Sequence, residues 1–160
     1  MKRKWALSNP DKGQGGMSES VTRDQFTYWM EIEVRWGDMD PQGHVNNAVY
    51  FTYCESARIS LVGKLGIRGK IAGPHGPVLV STACDFKHQV VYPATLDIGV
   101  RVEQIGRRSF AMTYGLFLRG TSQLVAVATS VNAWVDYTVG RSIPLPEEVR
   151  EALERYQLPK

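Results

Sequence analysis

The sequence has little of what defines several large protein classes, and each absence narrows its function. Only two cysteines, Cys54 and Cys84, occur in 160 residues, both within segments that predict helix or strand. Buried thiols in a reducing cytoplasm are therefore expected, rather than a disulfide framework. The net charge of +3 is too small to indicate a nucleic-acid partner. No apolar run is long enough to cross a membrane, and the basic N-terminus lacks the apolar segment of a secretory signal.

Metal-dependent and serine-hydrolase chemistry are not predicted either. The histidines (His44, His75 and His88) and the two cysteines lack the spacing of a metal site, so we expect no metal and no bound cofactor. The chain also has no G-x-S-x-G nucleophile elbow. Hydrophobic residues make up 43% of the 160 positions, which is enough for a core and favours a single domain.

Composition changes at about residue 24. Residues 1–24 are rich in Gly, Ser, Pro, Asp and Lys, so we expect a flexible N-terminal tail, with Met17 as an alternative start. Residues 25–160 form the predicted domain. From Phe26 to Trp36, apolar and polar residues alternate, which predicts a strand whose buried face includes both of these residues.

A long helix is predicted after this strand. Residues 46–66 contain no proline, are apolar on most sides and end at Gly66, a plausible C-cap, so the helix is expected to be buried on most sides. Residues 67–77 have the composition of a loop. Pro144 and Pro146 precede a short amphipathic helix near the C-terminus.

Four further alternating segments predict strands, beginning near Val78, Leu96, Phe110 and Val125. Short connections between the last three predict antiparallel hairpins. The order predicts an α+β fold in which a twisted antiparallel sheet wraps around one long central helix. Such a sheet has open edges and an outer face, so we expect a homo-oligomer, either a dimer or a tetramer.

The most polar stretch is RWGDMDPQGHVNNAVY, residues 35–50, between the first strand and the long helix. By residue type alone, Asp38 and Asp40 are turn formers that also favour a helix N-terminus, and Asn46 is a good N-cap. His44 either satisfies loop carbonyls or takes part in chemistry.

This stretch, together with GPVLVSTACDFKHQVVYPATL and IGRRSF, resembles the hotdog-fold acyl-CoA thioesterases, and most closely the 4-hydroxybenzoyl-CoA thioesterase-like group. The resemblance extends from about Phe26 to Tyr137 and rests chiefly on the Asp-x-x-x-His-Val-Asn-Asn string that opens the helix. It implies a hotdog fold, hydrolysis of an acyl-CoA thioester to an acid and coenzyme A, and active sites at a dimer interface.

The resemblance also implies roles for individual residues. Asp40 would be the catalytic carboxylate, and a backbone N–H near Asn47 would hold the thioester carbonyl. Glu55 corresponds to an acid that some relatives carry on the helix, although an ion pair with Arg58 is the simpler expectation. The phosphates and ribose of coenzyme A would be bound by basic and polar residues: Lys87, Arg107, Arg108 and Ser109.

Thioester hydrolysis requires a nucleophile, or a base that generates one from water, and a donor for the developing oxyanion. Asp40 could attack the carbonyl or activate a water. The first N–H groups of the helix lack intrahelical partners and can serve as the donor. His44 would bind the carbonyl or the water, or orient Asp40.

Further assignments concern the rest of the site. Asn46 is expected to contact the substrate while it caps the helix, Tyr50 is among the aromatic residues that could shape the acyl pocket, and Asp38 is assigned to the turn. Two other functions remain open, a non-catalytic acyl-CoA-binding module and a hydratase or dehydratase of the same fold. The acyl chain does not follow from the sequence.

Overall fold

One antiparallel sheet carries most of the fold. The computed structural model describes residues 21–66 and 73–159. Its strands follow one another along the chain as β1 (Tyr28–Glu33), β2 (His75–Phe86), β3 (Thr95–Ile105), β4 (Ser109–Leu118), β5 (Leu124–Asp136) and β6 (Arg141–Ser142). The strand order in space is β1-β3-β4-β5-β2, with β6 added beside β5, and every neighbouring pair is antiparallel. The predicted hairpins β3–β4 and β4–β5 are confirmed.

Two α-helices of the described part of the chain pack on this sheet. Helix α1 (Asn47–Lys64) lies against its inner face, and helix α2 (Glu147–Glu154) follows the prolines near the C-terminus. The predicted arrangement of a long helix wrapped by a sheet is confirmed. The expected burial on most sides is only partly right, because the Thr52, Glu55 and Ile59 side chains lie on an exposed stripe of α1. Among the described residues, no helix has the length and apolar composition of a membrane span.

The predicted faces of β2 need correction. The strand begins at His75, three residues before the predicted start, and residues 67–72 of the predicted loop lie outside the described residues. Leu79 pairs with Asn132 and Ser81 with Val131, so Val80 is an extra residue in a β-bulge. Because a bulge reverses the alternation, Leu79, and not Val78, shares the inner face with Cys84.

The first segment of the described chain lies across the outer face of the sheet. The Arg23 guanidinium makes a 2.7 Å ion pair with Asp97 and covers the Trp29 ring at 4.5 Å. Phe26 is 6% exposed and packs above Gly99 and Gly115, which are paired in β3 and β4. Residues 21–24, predicted to belong to a flexible tail, are therefore part of the folded domain, whereas residues 1–20 lie outside the described residues.

The two glycines beneath Phe26 provide a test of this packing. A Cβ at Gly115 would lie 2.4 Å from the Phe26 ring. We expect Gly115→Ala to lower the free energy of unfolding by about 1–3 kcal/mol, because the ring cannot keep its place over an added methyl group. Urea denaturation measures the change.

Gly37→Ala is the matched control, since a Cβ there meets no atom within 4 Å. Most of the cost of Gly115→Ala should vanish in a Phe26→Ala background, as a double-mutant cycle would report. A Gly115→Ala protein as stable as the wild type would contradict the described packing.

Candidate active site

A buried carboxylate organises the junction between β1 and α1. Asp38 is 3% exposed and accepts hydrogen bonds from three groups on two different elements. The Arg35 backbone N–H donates at 2.9 Å, the Arg35 guanidinium at 2.9 and 3.1 Å, and the Tyr53 hydroxyl at 2.6 Å. Asp38 therefore ties the end of β1 to the second turn of α1, and its predicted structural role in the turn is confirmed.

The charge of Asp38 is well compensated. Burial alone would raise the pKa of this carboxyl, but the hydrogen bonds from the Arg35 side chain, then from Tyr53 and the Arg35 N–H, hold the pKa below its ordinary value. The Tyr53 hydroxyl responds in the opposite direction: burial, and then the hydrogen bond to the Asp38 carboxylate, raise its pKa. Tyr53 therefore stays protonated at neutral pH and donates a hydrogen bond to Asp38.

The backbone closes the same junction into a tight turn. The Asn46 N–H donates to the Asp38 carbonyl at 2.9 Å, and the Asp40 N–H donates to the His44 carbonyl at 2.9 Å. Gly43 occupies the left-handed region at φ 87°, where a side chain would be strained. Asp40 and the first residue of α1 are consequently held close together at one end of the sheet.

The Asp40 carboxylate differs from that of Asp38. Its side chain is 19% exposed, and its Oδ1 accepts one hydrogen bond, from the Gln42 N–H at 2.8 Å. His44 Nδ1 lies 4.0 Å from the same oxygen, so the imidazole is near the carboxylate without a direct hydrogen bond. The second oxygen accepts no hydrogen bond from the described residues.

The start of α1 presents a donor beside this carboxylate. Asn46 is the N-cap, as predicted, and its side-chain oxygen accepts the Ala48 N–H at 2.9 Å. The Val49 N–H bonds to the Asn46 carbonyl at 3.0 Å. Within the described part of the chain, no hydrogen bond uses the Asn47 N–H as donor, so this group remains available at the positive end of the helix dipole.

The segment after β2 forms the opposite wall of the site. The Val45 N–H donates to the Val90 carbonyl at 2.9 Å, which fixes residues 87–94 against the Asp40 turn. The Tyr50 ring meets Phe86 edge-to-face at 5.1 Å, and burial raises the pKa of Tyr50 to about 12. Tyr50 is 3% exposed, so it lines the wall from within, whereas Lys87 is exposed and forms a 3.7 Å ion pair with Asp85.

Glu55 and Arg58 form the expected pair, but asymmetrically. Arg58 Nη2 lies 3.9 Å from the Glu55 carboxylate; the Arg58 side chain is 11% exposed and that of Glu55 is 64% exposed. Arg58 also contacts the buried Tyr114 hydroxyl at 3.4 Å, and that hydroxyl contacts Ser130 at 2.8 Å. Glu55 is on α1, two turns beyond the Asp40 turn.

The predicted coenzyme-binding residues do not all come together in one chain. Lys87 bonds to Val125, at the end of the sheet that carries Asp40. Ser109 pairs with Ala133 of β5, and the turn holding Arg107 and Arg108 lies beyond it. Eight residue steps of β5 separate Val125 from Ala133, which is roughly 26 Å at 3.3 Å per residue. Arg107, Arg108 and Ser109 therefore occupy the opposite end of the sheet from Asp40.

Sequence reasoning missed two features of the site. The hydrogen bond from Tyr53 to Asp38 was not predicted, although a buried phenol needs a hydrogen-bond partner. Trp36 was predicted to close the buried face of β1, but it is 75% exposed. The 3₁₀ turn Trp36–Asp38, closed by the Arg35–Asp38 bonds, ends the strand alternation before this residue.

Comparison with known proteins gives a consistent result. The family model of the thioesterase-like superfamily matches residues 34–153. The crystal structure of the PA5185 protein from Pseudomonas aeruginosa superposes with a TM-score of 0.80 and 30% identity, covering 85% of this chain and 95% of that one.

Two relatives resemble the chain at lower identity. The uncharacterized protein YsmA of Bacillus subtilis is 28% identical over 132 residues, 82% of this chain and 88% of YsmA. The long-chain acyl-CoA thioesterase FadM of Escherichia coli is 27% identical over 126 residues, 78% of this chain and 96% of FadM.

The buried carboxylate predicts a specific pH dependence of stability. The pKa of Asp38 in the folded state is below its unfolded value of about 3.9, so its contribution is present above that pH and is lost as the pH falls through the folded-state pKa. We expect Asp38→Asn to lower the free energy of unfolding by about 2 kcal/mol at pH 7, because the hydrogen bonds to charged groups are weakened.

The difference between wild type and Asp38→Asn should shrink below pH 4, as measured by urea denaturation from pH 2.5 to 7. Glu151→Gln, at an exposed acid of α2, serves as the control. A constant difference across this range would mean that ionisation of Asp38 does not stabilise the fold.

Proposed function

The chain belongs to the thioesterase-like superfamily, and we propose that it is an acyl-CoA thioesterase that hydrolyses its substrate to a free acid and coenzyme A. One observation carries the proposal: the Asp40 carboxylate, with an oxygen available, lies in the hydrogen-bonded turn that leads directly to the free Asn47 N–H at the start of α1. A carboxylate and an oxyanion donor are the two groups that thioester hydrolysis requires. The similarity to FadM supports a coenzyme A thioester as the substrate class.

In the proposed reaction, the thioester carbonyl oxygen accepts the Asn47 N–H. The helix dipole adds to the polarisation of this carbonyl as negative charge develops on its oxygen. Asn46 holds the helix start in place through its bond to Ala48, and its side chain borders the same space. Because the donor is backbone, its position is set by the fold of the turn and does not depend on a flexible side chain.

Asp40 supplies the nucleophile or base through the carboxylate oxygen that does not accept the Gln42 N–H. This oxygen either attacks the carbonyl carbon, forming a mixed anhydride that water then hydrolyses, or removes a proton from an attacking water. In both routes the carbon–sulfur bond breaks and coenzyme A leaves as a thiolate, so no strong general acid is needed. We assign to His44, whose Nδ1 lies 4.0 Å from the Asp40 carboxylate, a contact with the water or the carbonyl.

The edge strand β2 supports a homodimer. This strand has twelve residues and pairs only with β5 among the described strands, so one of its edges is open. No charged residue lies between His75 and Asp85, and Val78, Leu79 and Val80 are 41%, 43% and 63% exposed. Long, uncharged edge strands are normally protected by pairing, and a second copy supplies an identical edge.

Antiparallel pairing of two β2 strands has a consequence for the site. A two-fold axis between the two β2 strands brings the His75 end of one strand beside the Phe86 end of the other. The Phe86 end belongs to the Asp40 site, and the His75 end carries the turn with Arg107 and Arg108. We therefore assign phosphate binding at each site to Lys87 of the same chain and to the arginine pair and Ser109 of the second copy.

Loss of the Asp40 carboxylate tests the proposed chemistry. Asp40→Asn keeps the size of the side chain but removes the nucleophile or base, so kcat should fall on the order of a hundredfold or more. A thiol-reactive dye measures coenzyme A release from a panel of acyl-CoA thioesters. Asp24→Asn should retain wild-type activity. Absence of hydrolysis for every thioester, or full activity of Asp40→Asn, would refute the proposal.

Mixing of inactive variants tests the shared site. Asp40→Asn and the double variant Arg107→Ala/Arg108→Ala should each hydrolyse acyl-CoA poorly. After subunit exchange, mixed dimers contain one site with both Asp40 and the arginine pair intact, so roughly a quarter of wild-type activity should return for random pairing.

The control is each variant exchanged with itself, which should recover nothing. If the arginines served Asp40 of their own chain, no mixed dimer would contain an intact site, and activity would stay at the level of the controls.

A further inference from the structure

Two exposed aromatic side chains lie next to the Asp40 turn and have no role in the reaction described above. Trp36 is 75% exposed and Tyr92 is 42% exposed, and their rings meet edge-to-face at 5.8 Å. We call this pair the aromatic ledge. We propose that the aromatic ledge binds the acyl group of the substrate and sets the preference for acyl size; this inference rests on the proposed thioesterase function.

The backbone beneath the ledge is firmly held, so its exposed rings do not reflect a loose surface loop. The Trp36 carbonyl accepts the Met39 N–H at 3.2 Å, and the buried Asp38 lies between these residues. The Tyr92 N–H donates to the Met39 sulfur at 3.4 Å. Met39 thus joins the two halves of the ledge, and the backbone that carries both rings is held in place.

The position of the ledge favours the acyl group over the nucleotide. Trp36 is four residues before Asp40, so its Cα lies within about 14 Å of the Asp40 Cα even for a fully extended chain. The adenine ring lies at the far end of coenzyme A, beyond the pantetheine arm and the diphosphate. A ring beside the thioester is therefore out of reach of adenine when the carbonyl is bound at Asn47.

The chemistry of the ledge separates the acyl group from the pantetheine arm. Pantetheine carries two amides, and burying them without hydrogen-bond partners is costly. The Trp36 and Tyr92 rings and the Met39 thioether are apolar apart from the indole N–H and the Tyr92 hydroxyl at their margins. An aliphatic or aromatic acyl chain recovers the most free energy from covering these rings, because the gain scales with the apolar area removed from water.

The first test compares kinetics over a series of acyl lengths. Trp36→Ala should raise KM about tenfold for decanoyl-CoA and less than twofold for acetyl-CoA, with kcat unchanged within about twofold, because only the long chain reaches the ring. Trp36→Phe keeps an apolar ring and should stay within about threefold of wild type. Leu158→Ala, which truncates an exposed apolar side chain in the C-terminal segment, is the control and should change neither constant.

One kinetic outcome and one chromatographic outcome would each overturn the inference. An equal rise in KM for acetyl-CoA and decanoyl-CoA would assign the ledge to the pantetheine arm. A change in elution volume of Trp36→Ala on size-exclusion chromatography would assign it to an interface between copies of the chain. Either result would leave the thioesterase proposal intact, since that rests on Asp40.

A binding measurement tests the ledge without turnover. S-decyl-coenzyme A is a thioether that cannot be hydrolysed, and it should quench the tryptophan fluorescence of the wild type. The quenching should disappear in Trp36→Phe and should not be produced by coenzyme A alone. If the wild type hydrolyses no thioester but shows this quenching, the ledge stands and the proposed reaction fails. If S-decyl-coenzyme A quenches both proteins equally, the ledge is not the acyl site.

Discussion

The buried carboxylate of Asp38 is the interaction on which the rest of the site depends. This carboxylate accepts hydrogen bonds from Arg35 at the end of β1 and from Tyr53 on α1. The backbone carbonyl of Asp38 accepts a further hydrogen bond from the Asn46 N–H. The strand, the turn and the helix start are thereby joined at one residue. Exposing this carboxylate would free the turn, and the distance between Asp40 and the Asn47 N–H would no longer be set by the fold.

The same anchor explains how two adjacent acids acquire different properties. Asp38 is surrounded by donors, so its oxygens are saturated and its negative charge is neutralised by Arg35. Asp40, two residues later, has one oxygen engaged in the turn and side-chain exposure of 19%. A carboxylate is useful as a nucleophile or base only where it retains an unshared oxygen and access to substrate. The structural acid and the acid proposed to be reactive thus differ in their hydrogen bonding and not in residue type.

Much of this arrangement could be predicted from the sequence because it is local. The alternation in β3, β4 and β5, the cap at Asn46 and the assignment of Asp38 to the turn all depend on residues close in the chain. The faces of β2 could not be predicted, since the bulge at Val80 follows from the register with β5. The position of Trp36 was wrong for a similar reason. The bonds between Arg35 and Asp38 end the strand, and the buried position of Asp38 depends on Tyr53, which is distant in the sequence.

The residues predicted to bind coenzyme A show a different limit of sequence-based prediction. A family resemblance assigns these residues to coenzyme A binding, but it does not say which copy of the chain supplies each of them. Lys87 and the arginine pair lie at opposite ends of a sheet whose strands are all antiparallel, and no rotation of side chains can bring them together. A two-fold axis beside β2 reverses the direction of the second copy and so exchanges the two ends. In the homodimer that we propose, a shared site requires this separation within the chain, and the uncharged edge of β2 allows the second copy to complete the site.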